Sequence, residues 1–287
     1  MAETHKMRTS DLLPKSQFFQ YLNEKAETLA KSCPSALMPS LGHLKMADYE
    51  TVYEPSDDTY LMIDALGCEF GTYECIPKKM SLPRITLEIG CGTGVSTIFL
   101  AKLLSKSQNT NLMNQQQKQQ EEQQFPQLSQ QEQCQLHGSP IHIVTDINPN
   151  AIQITKQTAI ENNIDLTSLQ FHLCDLAKPL LQSHEHKIDV IIFNPPYVPT
   201  PDEEVGSDGI EASWAGGTDG RLVIDQALPQ IARLLSRPNG VAYMITVDDN
   251  KPEDIASIMM KDYGITVQPF LRRRARNEFL TVLKMTF

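Results

Sequence analysis

The chain has 287 residues, 40% of them hydrophobic, and a formal net charge of −10, which suits one α/β domain with insertions. The acidic balance argues against tight binding to duplex nucleic acid, which depends on Lys and Arg neutralising phosphates. The six cysteines stand singly, without zinc-finger spacing, a secretory leader or an apolar run near the ~20 residues that span a bilayer. We therefore expect a cytoplasmic and also nuclear protein, with no metal and no membrane contact.

The sequence of residues 1–47 predicts an N-terminal extension that is partly disordered or forms one helix, and that helix would cover residues 14–31. A sharper pattern then opens the domain predicted over 48–287. It predicts a helix from Pro55, a strand at 84–90 ("RITLEIG") and a helix at 91–104. The Gln-rich segment 106–139 has too few apolar residues to offset its ordering entropy, so it predicts a disordered or loosely helical insert.

Beyond this insert, strands and helices alternate, and this alternation predicts a mostly parallel, doubly wound α/β fold with seven strands. The last two strands have only the link "RARN" between them, too short for a helical crossover, so we expect an antiparallel hairpin at one edge of the sheet. The remaining predicted elements are strands at 141–147, 169–175, 187–194, 240–247, 265–273 and 278–287, helices near 149–163, 219–236 and 252–262, and a long loop over 197–218.

The motif "EIGCGTG" lies on the first predicted turn from strand to helix. Gly90, Gly92 and Gly94 allow a tight turn and the close approach of a ligand, although such a turn can also serve only to pack a helix on a strand. Asp146 follows Gly94 by 52 positions, of which 34 belong to the Gln-rich segment, leaving 18. This is close to the ~20-residue spacing of an acidic residue that binds ribose hydroxyls.

Acidic side chains at strand ends indicate the class of cofactor. Glu88 precedes the glycines, where a carboxylate would repel a pyrophosphate but could face a cation. Together with Asp146 it fits S-adenosylmethionine, which carries a sulfonium and an ammonium, better than a nicotinamide dinucleotide. Asp175 and Leu176 end the third predicted strand and are placed to meet an adenine. The alternative for Asp175 is a helix cap.

The stretch "FNPPY" ends the fourth predicted strand at the same crevice. A planar amide or aromatic amine is a poor nucleophile because its lone pair is delocalised. The Asn194 side-chain oxygen and the Pro195 carbonyl could hold such an NH2 group, aim its nitrogen at a methyl group and support the developing positive charge. Pro196 stiffens this turn, and Tyr197 could pack on the flat substrate group. The alternative is a plain proline turn with a capping Asn.

Trp214 is the only tryptophan and lies in the glycine-rich stretch "GIEASWAGGTDGR". It could belong to a lid or a substrate-recognition loop. A hydrophobic anchor that pins the long loop to the domain is an equal alternative.

The motifs occur in an order that resembles class I S-adenosylmethionine-dependent methyltransferases of the Asn-Pro-Pro-Tyr type. More narrowly, the chain resembles the eukaryotic and archaeal release-factor glutamine methyltransferases, the HemK-like group, over most of 36–287. The motifs that carry the resemblance are "EIGCGTG", "TDINP", "CDL", "VYEPSDDTYLMIDAL", "NPPYVPTPDEEVGSDGIEASWAGGTDGR" and "FLTVLKMTF". The Gln-rich insert and the lead 1–35 have no counterpart in this resemblance.

The resemblance implies transfer of a methyl group to the N5 amide nitrogen of the Gln in the Gly-Gly-Gln loop of the class 1 translation termination factor. It also implies a heterodimer with a small zinc-binding activator protein, paired along the third-strand edge. Asn194, Tyr197 and Trp214 are the substrate-side candidates. The positions expected to hold S-adenosylmethionine are Asp58, Thr59, Glu88, Gly90, Gly92, Asp146, Asp175, Leu176 and Asn194.

Three other functions stay open from the sequence. Adenine-N6 methylation of a flipped base suits the same motif, although no DNA-reading domain or basic stripe is evident. Lysine methylation requires a base, which the motif does not offer. The third is a catalytically inactive binding module.

Overall fold

The computed structural model describes residues 14–32, 37–70, 83–106, 139–206 and 209–287. The predicted Gln-rich insert falls almost wholly outside these ranges. Among the described residues, no helix is long and apolar enough to cross a membrane.

Seven strands form one sheet in the order β3-β2-β1-β4-β5-β7-β6, with parallel pairing from β3 to β5 and antiparallel pairing of β7 with both β5 and β6. This confirms the predicted fold, including the final hairpin. The strands are β1 (Ile85–Ile89), β2 (Ile141–Asp146), β3 (Leu169–Leu173), β4 (Val190–Phe193), β5 (Val241–Thr246), β6 (Thr266–Ala275) and β7 (Glu278–Thr286). The α-helices of the described residues are α1 (Lys15–Ser32), α2 (Asp57–Phe70), α3 (95–106), α4 (Pro149–Glu161), α5 (Leu222–Leu234) and α6 (Pro252–Tyr263).

The central strands are buried on both faces, as expected for a parallel sheet covered by helices. In β4 and β5 every residue is buried. Because side chains alternate between the faces of a strand, Ile192 packs into the core under α2 and α3, whereas Ile191 and Phe193 pack into the core under α5 and α6. The two layers of helices therefore hold the ends of β1 and β4 in fixed positions.

Local signals explain where several helices begin and end. Asn148 caps α4 through its side-chain oxygen, which accepts a hydrogen bond from the Asn150 N–H, and Pro149 occupies the first turn. Pro252 opens α6, and Gly264 ends it in a left-handed conformation that costs glycine nothing. These helices therefore form close to their predicted positions.

The predicted N-terminal helix is present as α1, and it packs against β6, the strand at one edge of the sheet. The main-chain N–H of Arg274 in β6 donates to the Asn23 side chain, and the Arg273 guanidinium donates to the Ala26 carbonyl. Arg273 also forms an ion pair with Asp64 in α2. Helix α1 thus occupies the outer edge of β6, while the division of the chain at residue 47 stays a prediction.

The segment predicted as a long loop, 197–218, contains short 3-10 turns rather than open coil. They are Asp202–Glu204, Ile210–Ser213 and Thr218–Gly220. The following helix, predicted from 219, begins at Leu222 because Asp219 and Gly220 both have positive φ, which an α-helix does not accommodate. The helix also ends two residues before the predicted 236.

Candidate active site

The carboxyl ends of four parallel strands meet where the strand order reverses between β1 and β4, which is where open α/β sheets bind ligands. The register aligns Ile89 with both Thr145 and Phe193, and Asp146 with Leu173. The polar residues that follow these positions therefore lie along one crevice.

The glycine turn after β1 serves two purposes. The main-chain N–H groups of Gly90 and Cys91 bind the Thr145 carbonyl of β2, which fixes the turn. Gly90 and Gly92 have positive φ, and a Cβ atom built at either would meet nothing within 4 Å, so their backbones open onto the crevice. At Gly94 a Cβ atom would overlap the Thr155 side chain of α4. Two glycines thus admit a ligand, and the third permits helix packing.

Asp146 is the last residue of β2 and lies beside this glycine turn. Its two carboxylate oxygens accept hydrogen bonds from the main-chain N–H groups of Gly92, at 3.0 Å, and Asn148, at 2.9 Å. Burial raises the pKa of Asp146, and these hydrogen bonds partly offset that effect. The carboxylate is rigidly placed at the end of β2, where a ribose-binding group is predicted.

Glu88 lies deeper than its sequence position suggests. Its side chain is only 4% exposed, and its carboxylate accepts hydrogen bonds from the main-chain N–H and the hydroxyl of Thr97 in the first turn of α3. Desolvation by burial raises the pKa of Glu88 to about 7 and outweighs the hydrogen bonds from Thr97 and Ser96, which lower it. Direct contact between Glu88 and a cofactor stays a prediction, because this carboxylate already binds α3.

Asp175 and Leu176 follow β3 on the same side of the sheet. The Asp175 carboxylate is exposed and forms an ion pair with Lys178. The short turn Lys178–Leu180 has Ala177 as its N-cap and no side-chain cap, so Asp175 does not act as the capping residue that was the alternative. Leu176 has a φ of +51°. Contact of this pair with an adenine stays a prediction.

Asn194 directly follows β4 and points one of its polar atoms at a buried carboxylate. Its Nδ2 donates to Asp58 Oδ2 at 3.1 Å. Its Oδ1 is buried and has no hydrogen-bond partner among the described residues. Within the same residues, no hydrogen bond reaches the Pro195 carbonyl oxygen. One side-chain acceptor, Asn194 Oδ1, and one main-chain acceptor, the Pro195 carbonyl, therefore lack a donor among the described residues, and their role in holding a substrate NH2 group stays a prediction.

Asp58 is the centre of this arrangement, which the sequence did not reveal. Its Oδ2 also accepts hydrogen bonds from the hydroxyl groups of Tyr53, at 3.0 Å, and Tyr197, at 3.2 Å. Its Oδ1 accepts from the main-chain N–H and the hydroxyl of Thr59. The Asp58 carboxylate thus joins the first turn of α2 to the end of β4.

Tyr197 is held by contacts that the sequence does not reveal. Its ring is partly buried and packs against both hydrophobic cores, and its hydroxyl donates to Asp58, while its packing on a flat substrate group stays a prediction. Burial and the nearby Asp58 charge raise the pKa of Tyr197 and that of Tyr53. Both phenols therefore stay protonated near neutral pH.

Asn250, after β5, is a buried residue that sequence reasoning missed. Its Nδ2 donates to the carbonyls of Tyr197, at 2.8 Å, and Asp219, at 2.9 Å. Gly216 and Gly220 pack against the same backbone. A Cβ atom at Gly216 would lie 2.6 Å from the Pro196 carbonyl oxygen, and one at Gly220 would overlap the Tyr197 carbonyl. Only the glycines of "WAGGTDG" hinted at this close approach.

Trp214 lies beside the Asn-Pro-Pro-Tyr segment. Its main-chain carbonyl accepts a hydrogen bond from the Val198 N–H, and the next residue, Ala215, pairs with Val198. The Trp214 side chain is 37% exposed. A substrate contact and an anchoring role both agree with this position, so the substrate role stays a prediction.

The residues of the crevice fit S-adenosylmethionine. Gly90 and Gly92 leave open space above their backbones, and Asp146 stands at the end of the adjacent strand. The Asp146 carboxylate places negative charge beside the glycine turn, as suits a ligand with a sulfonium and an ammonium group.

Comparisons with known proteins agree with this geometry. No protein-family model matches the chain. The methyltransferase HEMK2 of Homo sapiens is 37% identical over 248 residues, which are 86% of this chain and 95% of that protein. The eRF1 methyltransferase catalytic subunit mtq2 of Schizosaccharomyces pombe is 30% identical over 251 residues, 86% of this chain and 94% of that protein.

A solved structure of the Mtq2–Trm112 complex of E. cuniculi, described as responsible for the methylation of the eRF1 translation termination factor, has a TM-score of 0.48 and 22% identity. The match covers 82% of this chain and 98% of that chain. On the strength of the human and yeast relatives, the chain belongs to the HemK-like methyltransferase family that includes HEMK2 and Mtq2.

Proposed function

We propose that the chain transfers a methyl group from S-adenosylmethionine to the N5 amide nitrogen of the Gln in the Gly-Gly-Gln motif of the class 1 translation termination factor. The observation that carries this proposal is that the buried Asn194 Oδ1 and the carbonyl of the next residue, Pro195, accept no hydrogen bond from any described residue. The relatives named for eRF1 methylation support it.

Two acceptors suit a primary amide, which has two N–H groups. Asn194 Oδ1 and the Pro195 carbonyl would each accept one of them, so the amide plane is fixed and the lone pair of the nitrogen is directed into the crevice. S-adenosylmethionine, when bound, supplies an electrophilic methyl group on its sulfonium sulfur. Positive charge would grow on the substrate nitrogen as its bond to the methyl carbon forms and the bond from that carbon to sulfur breaks, and both oxygens would stabilise this charge. The nitrogen then loses one proton to water, leaving N5-methylglutamine and S-adenosylhomocysteine.

The protonation state of the neighbouring phenols favours an amide over a lysine. A lysine ammonium must lose a proton before it can accept a methyl group. Tyr53 and Tyr197 both donate to Asp58, and their raised pKa values keep them protonated. The side chains that contact Asp58 therefore provide no base for lysine, whereas an amide needs none before transfer.

Adenine-N6 methylation would use the same two acceptors, so Asn194 and Pro195 do not separate it from glutamine methylation. The net charge of −10 makes tight nucleic-acid binding unfavourable. We therefore treat adenine as an outcome of the experiment below.

We also propose that a small zinc-binding activator protein pairs with the outer edge of β3. No strand of the described residues pairs with this edge. Leu173 at the end of β3 is 59% exposed, and Leu166, just before the strand, is also exposed. An unpaired edge flanked by exposed leucines suits strand addition by a partner. The complex of E. cuniculi Mtq2 with Trm112 supports a small partner.

The test is co-expression of the full chain with a candidate activator, followed by incubation with labelled S-adenosylmethionine and either the termination factor or adenine-containing DNA. We expect label on the Gly-Gly-Gln peptide, and much slower but still measurable labelling of that peptide with Asn194→Ala. Asn239→Ala is the matched control, because Asn239 is exposed just before β5, at the opposite end of the sheet. Label on DNA alone would overturn the proposal and favour the adenine-N6 activity.

A further inference from the structure

Asp58 makes contacts that the cofactor role expected from the resemblance does not explain. It is only 2% exposed, although it lies in the first turn of a helix, and its Oδ2 accepts three hydrogen bonds from side chains of two separate segments. One donor, Tyr53, precedes α2, and the other two, Asn194 and Tyr197, follow β4. A buried carboxylate with this many donors holds these segments in one arrangement.

The hydrogen bond from Asn194 fixes which end of its carboxamide faces Asp58 and which end faces away from it. Asp58 Oδ2 accepts hydrogen bonds from the hydroxyls of Tyr53 and Tyr197, and the NH2 end of Asn194 donates a third hydrogen bond to the same oxygen. The opposite end, Oδ1, then points away from Asp58 as an acceptor, and it is this oxygen that has no partner. Turning the carboxamide by 180° would set two oxygens against each other and lose a charge-assisted hydrogen bond, which disfavours that orientation by roughly 10- to 100-fold.

We propose that Asp58 is a positioning residue for methyl transfer, which holds the Asn194 carboxamide so that its oxygen is presented to the NH2 group of the substrate. This role rests on the proposed function, because it needs a substrate nitrogen that Asn194 Oδ1 can bind. It differs from the contact with the cofactor that the resemblance implies for Asp58, because it acts through Asn194.

The two tyrosines make this role rigid. With the hydroxyls of Tyr53 and Tyr197 on the same oxygen, the Asp58 carboxylate cannot turn without breaking all three hydrogen bonds. Removing the Tyr53 hydroxyl leaves the bond between Asp58 and Asn194 in place. Tyr53→Phe should therefore weaken the positioning without abolishing it.

The experiment is a double-mutant cycle of Asp58→Asn and Asn194→Ala in the full chain with its activator. Single-turnover transfer to the termination factor and calorimetric affinity for S-adenosylmethionine are measured for each variant. We expect Asp58→Asn to slow transfer by roughly 10- to 100-fold. The affinity should stay within about threefold of wild type, and Asp58→Asn should add no further loss in the Asn194→Ala background.

The positioning role would be overturned if Asp58→Asn slowed methyl transfer by the same factor in wild type and in Asn194→Ala. It would also be overturned if a loss of affinity for S-adenosylmethionine accounted for the slower transfer. If Asp58→Asn does not fold, Tyr53→Phe takes its place in the same cycle. It is then expected to slow transfer only when Asn194 is present, and additive losses would again overturn the role. A wild-type chain that leaves the termination factor unlabelled refutes the proposed function itself, whereas an active wild type with additive variants refutes only the role of Asp58.

Discussion

Asn194→Asp tests the contact between Asn194 and Asp58 through stability, without any substrate. The change replaces the Nδ2 atom, 3.1 Å from Asp58 Oδ2, with a carboxylate oxygen. Two unit charges at this distance repel by roughly 5 kcal/mol at an effective dielectric constant of about 20. Giving one aspartate with an ordinary pKa a proton at pH 7 costs about 4 kcal/mol. Protonation is the less costly response, so the pair should hold one proton at pH 7.

The pH dependence of the stability of Asn194→Asp follows from the direction in which repulsion shifts the pKa of the two carboxyl groups. Repulsion raises the pKa of the pair above the value in the unfolded chain, so the stability cost is absent below about pH 4 and grows as the pH rises towards the raised value. The free energy of unfolding should be about 4 kcal/mol below that of wild type at pH 7 and about 1.5 kcal/mol below it at pH 5. Because both residues titrate together, the raised pKa belongs to the pair.

Urea unfolding of the full chain at pH 5, 6, 7 and 8 measures these differences. Asn194→Ala is the control, because it removes the same hydrogen bond without adding a charge, so its stability difference from wild type should not change with pH. A difference between Asn194→Asp and wild type that is constant from pH 5 to 8 would show that residue 194 does not face Asp58.

Three further predictions concern other parts of the site and the sheet. The free energy of unfolding of Glu88→Gln, taken relative to wild type, should rise by about 3 kcal/mol from pH 4.5 to pH 7, because the raised pKa of about 7 keeps Glu88 protonated in the folded wild type while the unfolded chain ionises. Urea unfolding that shows no such change would contradict the burial of Glu88. Leu173→Arg should abolish co-purification with the activator, whereas Met260→Arg, at a 50% exposed position of α6 beside the opposite edge of the sheet, should still co-purify with it. Equal co-purification of both variants would exclude the β3 edge as the binding site of the activator. Gly220→Ala should slow methyl transfer and lower the melting temperature more than Gly264→Ala does. Both glycines have positive φ, but only a Cβ atom at Gly220 overlaps the backbone of the Asn-Pro-Pro-Tyr segment. Equal effects of the two substitutions in both assays would refute that contact.

The sheet could be predicted because each of its strands carries a local signal. Continuous apolar runs end at turn residues, and the short link before β7 leaves only a hairpin. The glycine turn after β1 and the polar residues at the ends of β2, β3 and β4 were predicted for the same reason, since strand ends in a doubly wound sheet share one crevice. These inferences need only periodicity and chain order.

The contacts around Asp58 depend on tertiary packing and could not be predicted in this way. Asp58 and Asn194 are 136 positions apart, and no local pattern joins the first turn of α2 to the end of β4. The same holds for Asn250, whose side chain reaches the Tyr197 carbonyl from the next strand over. The hydrogen bond from Tyr197 to Asp58 was also not predicted, because residue type and position do not reveal that a phenol donates to a buried carboxylate.

The position of α1 has a consequence for how copies of this protein can assemble. Asn23 of α1 binds the Arg274 main-chain N–H at the outer edge of β6, whereas no strand of the described residues pairs with the outer edge of β3. A strand added to β6 would have to displace α1 there, so β3 is the easier edge for a second chain to join. Growth of a fibre by successive strand addition is thereby hindered, and the activator would compete for the β3 edge with any second copy of the chain.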